Sequence, residues 1–143
     1  MTSAETLVVH CSDFRFQPAY AEFLSKALGL KGNVDPLIIP GGAQCLTILD
    51  YMPKLGWAFA KWLRYLVEMH KLTRAILIAH HDCAWYRTLP FHIFSQEEPR
   101  KRQEEDLRSV RTVLTREFPE MRVELYYAML DNQNEVTIES VSG

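Results

Sequence analysis

Leu7-Val8-Val9-His10-Cys11-Ser12-Asp13-Phe14-Arg15 is the stretch on which the reading of this chain turns. Its apolar, β-branched opening has the composition of a buried strand entering a core. A thiol, a carboxylate and a guanidinium then follow on alternate positions. If the chain stays extended there, Cys11, Asp13 and Arg15 share one face. A thiolate can ligate a metal ion, and the two charged groups can order what else the ion holds. The same pattern recurs downstream, where the strand-length run Ala75-Ile76-Leu77-Ile78-Ala79 ends in His80-His81-Asp82-Cys83. In open parallel sheets ligands bind beyond the carboxyl ends of the strands. Cys11, His80 and Cys83 are therefore expected to face one crevice as three metal ligands, with a fourth position left free. Structural zinc normally has four protein ligands, whereas catalytic zinc keeps one position for water.

Outward from these two stretches the chain alternates strand and helix. Pro18 opens a helical pattern to about Leu28, with Tyr20, Phe23, Leu24 and Leu28 on one face and Gly29 and Gly32 as its stop. Val34–Ile39 reads as a second buried strand despite Pro36, ending at Pro40-Gly41-Gly42, where glycines permit a close approach of backbone to a site. Pro53 opens a long helix to about His70. Its Leu55, Trp57, Phe59, Trp62, Leu63, Tyr65, Leu66 and Met69 are too many for one apolar stripe, so either a sandwiched position or a partner subunit is expected to cover it. Ala84-Trp85-Tyr86 leads into an irregular segment with Pro90 and Pro99. A second helix is expected from about Arg100 to Phe118, with Leu107, Val110, Val113, Leu114 and Phe118 inward. Met121–Leu130 is a fourth strand, and Glu135–Val141 an edge strand. The expected fold is α/β: a single domain with a mainly parallel sheet of four to five strands flanked by helices.

Composition narrows the function classes. The chain has 143 residues, 48% of them hydrophobic and 24% charged, an ordinary soluble globular balance. A net charge of −2 offers no basic field for nucleic acid. No run of eighteen apolar residues suggests a membrane span, and the first residues do not resemble a secretory signal. The cysteines number three, with no disulfide-framework spacing, so a reducing cytoplasm is the expected compartment. Cys45, without ligand-type neighbours, reads as a packed thiol.

Together, Cys11-Ser12-Asp13-Phe14-Arg15 and His80-His81-Asp82-Cys83 resemble the two motifs of the β-class carbonic anhydrases, Cys-x-Asp-x-Arg and His-x-x-Cys, in order, separation and strand-end placement. The resemblance implies Zn2+ held by Cys11, His80 and Cys83, Asp13 and Arg15 as a hydrogen-bonded catalytic dyad, and hydration of carbon dioxide to bicarbonate by zinc-bound hydroxide. It also implies a homodimer or higher homo-oligomer with the site near a subunit interface, acting on a small-molecule substrate without nucleic acid or membrane. The chain departs from the pattern at Ile39-Pro40-Gly41-Gly42, where the family carries Arg-Asn-Ala-Gly, and at Ala84, where the family tends to have glycine. It is also short for the family and lacks the N-terminal helical arm. Hydrolysis of carbonyl sulfide or carbon disulfide therefore stands as an alternative, as do a catalytically silent zinc-binding relative and a redox protein with a reactive thiol at Cys11 or Cys83. His81 and His92 are candidate proton shuttles, and Phe14, Trp85 and Tyr86 are candidate walls of an apolar pocket.

Overall fold

A computed structural model describes residues 4–47, 52–88 and 99–143. Five strands form one sheet in the order β2-β1-β3-β4-β5. These are β1 (Thr6–His10), β2 (Val34–Ile38), β3 (Arg74–His80), β4 (Arg122–Leu130) and β5 (Val136–Ser140). β1 runs parallel to β2 and β3, β3 runs parallel to β4, and only β5 on the edge is antiparallel. The strand order therefore reverses around β1, which puts a topological switch point at the carboxyl ends of β1 and β3. Register pairs His10 with Ile78, so the chain leaves β1 level with the end of β3.

Alternation along the central strands divides the core in two. Leu7 and Val9 of β1 with Ala75 and Leu77 of β3 face helices α2 (Pro53–His70) and α4 (Pro99–Glu117), meeting Phe59, Leu63, Val67, Leu107, Val110 and Leu114. Val8, Ile76 and Ile78 face the opposite side and pack with Phe16 and Tyr20, beside Phe23, Leu24 and Leu28. Both faces of β1 are fully buried, as a central parallel strand requires. Among the described residues no helix is long and apolar enough to cross a membrane.

Several expectations need correcting. β2 is an edge strand with Pro36 and Ile38 exposed, not a buried one. An edge is where a sheet tolerates proline, because the missing N–H costs no ladder bond. The first helix is α-helical only over Gln17–Glu22 (α1) and continues as a π-helical turn, Phe23–Ala27, before Gly29 at φ +66° ends it. The extended geometry that would align Cys11, Asp13 and Arg15 stops at His10, so those residues meet through a turn instead. Gly42–Thr47 forms a 3-10 helix and Ala84–Thr88 a short helix, α3, neither of which the sequence pattern signals. The irregular segment around Pro90 lies outside the described residues, and Pro99 already belongs to α4. The long helix α2 matches its expected bounds, but the described residues cover one stripe of it. Phe59, Leu63 and Val67 are buried, while Leu55, Trp57, Trp62, Tyr65 and Met69 remain exposed.

Candidate metal centre

Cys11 leaves β1, His80 ends β3, and Cys83 follows three residues later; all three are buried. Their ligand atoms lie within 4.8 Å of one another. The two sulfurs are 4.0 Å apart, against about 3.8 Å for two thiolates at ~2.3 Å from one tetrahedral metal. His80 Nδ1 is 2.7 Å from the carbonyl oxygen of His81, which can only accept, so Nδ1 carries the proton and Nε2 presents a lone pair. Among the described residues that buried Nε2 has no hydrogen-bond partner, and an orphaned acceptor of this kind is free to bind a cation. Cys11 is held below the usual thiol range by the hydrogen bond from Cys83 and further by the Gly41 backbone N–H. Cys83 is pushed up by the neighbouring Cys11 and by burial. The pair thus favours one thiolate and one retained proton, which a divalent ion would displace. The donor set fits such an ion.

The backbone around this cluster is shaped by two glycines. Gly42, at φ +61°, lies so close that an added Cβ would be 3.2 Å from the Cys11 nitrogen. Gly41, at φ +79°, donates its N–H to Cys11 Sγ at 3.4 Å. Trp85 closes over Gly41, with its indole N–H donating to Gln44 Oε1 at 2.6 Å. Cys45 is buried, and burial pushes its thiol up to about 11, so it stays a packed core thiol.

Asp13 and Arg15 meet directly. Arg15 Nε and NH2 donate to the Asp13 carboxylate at 3.1 and 2.7 Å, and the Arg15 backbone N–H donates to Asp13 Oδ1 at 3.0 Å. This side-chain-to-backbone turn replaces the extended geometry. The guanidinium holds the Asp13 carboxyl below the usual carboxylate range. Sequence reasoning missed the supports of this loop. Gln17 Nε2 donates to the carbonyls of Cys11 and Asp13 at 3.0 and 2.7 Å. His10 is buried, donates Nδ1–H to the Cys11 carbonyl at 2.9 Å and packs tilted against Tyr20, with ring centroids 4.3 Å apart. Arg15 also reaches across to Asp82, with NH1 to Oδ2 at 3.1 Å and NH2 to the main-chain carbonyl at 3.0 Å. The Gln17 and His10 bonds run to main-chain carbonyls, which no side-chain pattern announces, and the Asp82 contact joins loops far apart in sequence.

An open cleft of about 580 Å³ reaches the cluster at Cys11 and is lined by Cys11, Asp13, Arg15, Phe14, Pro40 and Trp85 among others. Phe14 and Trp85 are thus at the cleft. Tyr86 is instead a core residue, donating its hydroxyl to Asp106 of α4 at 2.8 Å. His81 is exposed, and His92 lies outside the described residues.

No family model matches the chain. An uncharacterized protein of Rickettsia conorii is 27% identical over 137 residues, covering 92% of this chain and 70% of that protein. The solved carbonic anhydrase of Streptococcus mutans superposes with a TM-score of 0.60 at 16% identity, covering 98% of this chain and 82% of that one. Tetrameric β-carbonic anhydrases of Sordaria macrospora give 0.52 at 14% identity over 96% of this chain and 81% of theirs. The fold is that of the β-carbonic anhydrases. At these identities the likeness speaks for the fold alone. What the cluster does rests on its own chemistry.

Proposed function

We propose that this chain is a zinc-dependent hydratase that converts carbon dioxide to bicarbonate, with Cys11, His80 and Cys83 as the metal ligands. One observation carries the reading: the unpartnered, buried Nε2 of His80 and two sulfurs 4.0 Å apart converge on one point. A zinc ion held there with one position open would bring the pKa of a bound water toward ~7 and supply a nucleophile at neutral pH. Asp13, kept ionised by Arg15, accepts a hydrogen bond from the reacting water and aims its lone pair into the cleft. Phe14 and Trp85 offer apolar surface to a small uncharged substrate. His81, exposed one residue beyond a ligand, passes the released proton to bulk water. Three free thiols suit a reducing cytoplasm. The fold's presence in tetrameric enzymes and the uncovered apolar flank of α2 support a homo-oligomer.

Metal analysis of freshly purified protein followed by stopped-flow hydration tests the reading. About one zinc per chain and carbon dioxide hydration that disappears, with the zinc, in Cys11→Ser are expected. Carbonyl sulfide and carbon disulfide belong in the same panel, because the cleft presents Pro40 and Trp85 rather than polar groups at that wall. Protein that binds no zinc, or a zinc-loaded protein inert to all three substrates, would overturn it.

A further inference from the structure

Arg15 is shared between two carboxylates. Its Nε and NH2 bond Asp13, while NH1 and NH2 bond the side chain and the carbonyl of Asp82. The other oxygen of Asp82 accepts from Arg87 NH1 at 2.7 Å. The result is a chain of alternating charge, Asp13–Arg15–Asp82–Arg87, laid along the cleft. Asp82 also occupies the left-handed region at φ +58°, which few residues other than glycine, asparagine and aspartate adopt. That turn lets its carbonyl and its carboxylate meet the same guanidinium. Asp82 stands between His80 and Cys83 in sequence, whereas Arg15 belongs to the Cys11 loop. The contact therefore ties the two ligand-bearing loops to each other.

We infer that Asp82 is a positioning residue of the metal centre, taking a second hold on Arg15 and thereby fixing where Asp13 points. The inference rests on the hydratase reading of the site. An isolated exposed ion pair contributes little. This one differs because each of the three Arg15 nitrogens is engaged, so the guanidinium cannot turn toward one carboxylate without releasing the other. With Asp82 present, Arg15 stays fixed even when Asp13 moves. Without it, Arg15 and Asp13 turn together as a loose pair, and the hydrogen bond aimed into the cleft loses its direction.

The test uses the full chain loaded with cobalt(II) in place of zinc, as wild type, Asp82→Gly and Asp82→Asn. Glycine accepts the left-handed backbone without strain. Asparagine tolerates it, keeps the side chain's size and removes the charge, and it is the variant that stands if the glycine form does not fold. Uptake of cobalt by wild type, with thiolate charge-transfer absorption, checks the metal-centre reading; no uptake sinks that reading and this inference with it. Given uptake, both variants are expected to bind the same amount of metal yet show an altered visible envelope with a displaced pH midpoint. Their kcat/KM for carbon dioxide should fall about tenfold in Asp82→Gly, in line with loss of an outer-shell partner, through kcat with KM unchanged, and less in Asp82→Asn. Unchanged spectra and pH profiles, whatever happens to the melting temperature, would make Asp82 a stabilising residue only and overturn the inference. Should wild type bind cobalt without hydrating carbon dioxide, the spectra alone decide.

Discussion

Gly41 shows how tightly single residues are constrained beside the cluster. A methyl group built there would lie 2.7 Å from Trp85 Nε1, on a backbone at φ +79°. Gly41→Ala should therefore destabilise the protein by about 1–3 kcal/mol, combining left-handed strain with overpacking. It should also displace the Trp85 indole from Gln44, read as a shift in tryptophan emission alongside the thermal midpoint. An alanine variant with wild-type stability and emission would mean that Trp85 does not close over this turn. Residues of this kind explain what the sequence could and could not disclose. The convergence of Cys11, His80 and Cys83 was legible because metal-ligating side-chain types at two strand ends are a chemical pattern, readable without coordinates. Asp13 and Arg15 were legible by spacing, although the turn that joins them was not. Gln17 and His10 were invisible because a side chain bonding a nearby main-chain carbonyl leaves no pattern in the sequence, and the hold of Asp82 on Arg15 because the fold must first bring their two loops together.

At the scale of elements, α3 and α4 are joined by a buried polar contact that apolar periodicity could not reveal. Tyr86 of α3 donates to Asp106 of α4, and Arg102 of α4 donates to the other carboxylate oxygen at 3.3 Å. Burial outweighs both partners and raises the Asp106 carboxyl above its ordinary value. The sign follows directly. A carboxyl with a raised folded pKa stabilises fully below its unfolded pKa, near 3.9, and that contribution is lost as pH rises through the folded value. Asp106→Asn, which never ionises, should therefore gain stability relative to wild type as pH is raised from about 4 toward neutrality. Urea denaturation of both proteins at several pH values measures the difference. A difference that stays flat, or grows in the wild type's favour, would show that the Asp106 carboxylate is stabilised where it lies. Element bounds were otherwise well marked. Pro53 and the apolar run to His70 placed α2, whereas edge and centre could not be distinguished for β2, whose short apolar composition suits either position.

At the scale of the whole molecule, burial within the subunit leaves an imbalance. α2 buries Phe59, Leu63 and Val67 against the sheet but exposes Leu55, Trp62, Tyr65 and Met69, with Trp62 56% and Tyr65 58% accessible. On a helix of 3.6 residues per turn those four positions fall along one flank beside the buried stripe, while Trp57 projects elsewhere. A continuous exposed apolar flank marks an interface more often than a free surface, and aromatic residues at its centre are the type that dominates association energies. The homo-oligomer proposed above would use this flank, and that makes the assembly separable from the metal. Sedimentation velocity at micromolar concentration should find wild type well above the 16.6 kDa of one chain. Trp62→Glu combined with Tyr65→Glu should weaken self-association by at least about tenfold, because two like charges would be buried together at the same surface. Zinc content should not change, since neither residue is among the cluster's ligands. A wild-type monomer would remove the oligomer, and a double variant that still associates would move the interface to another face.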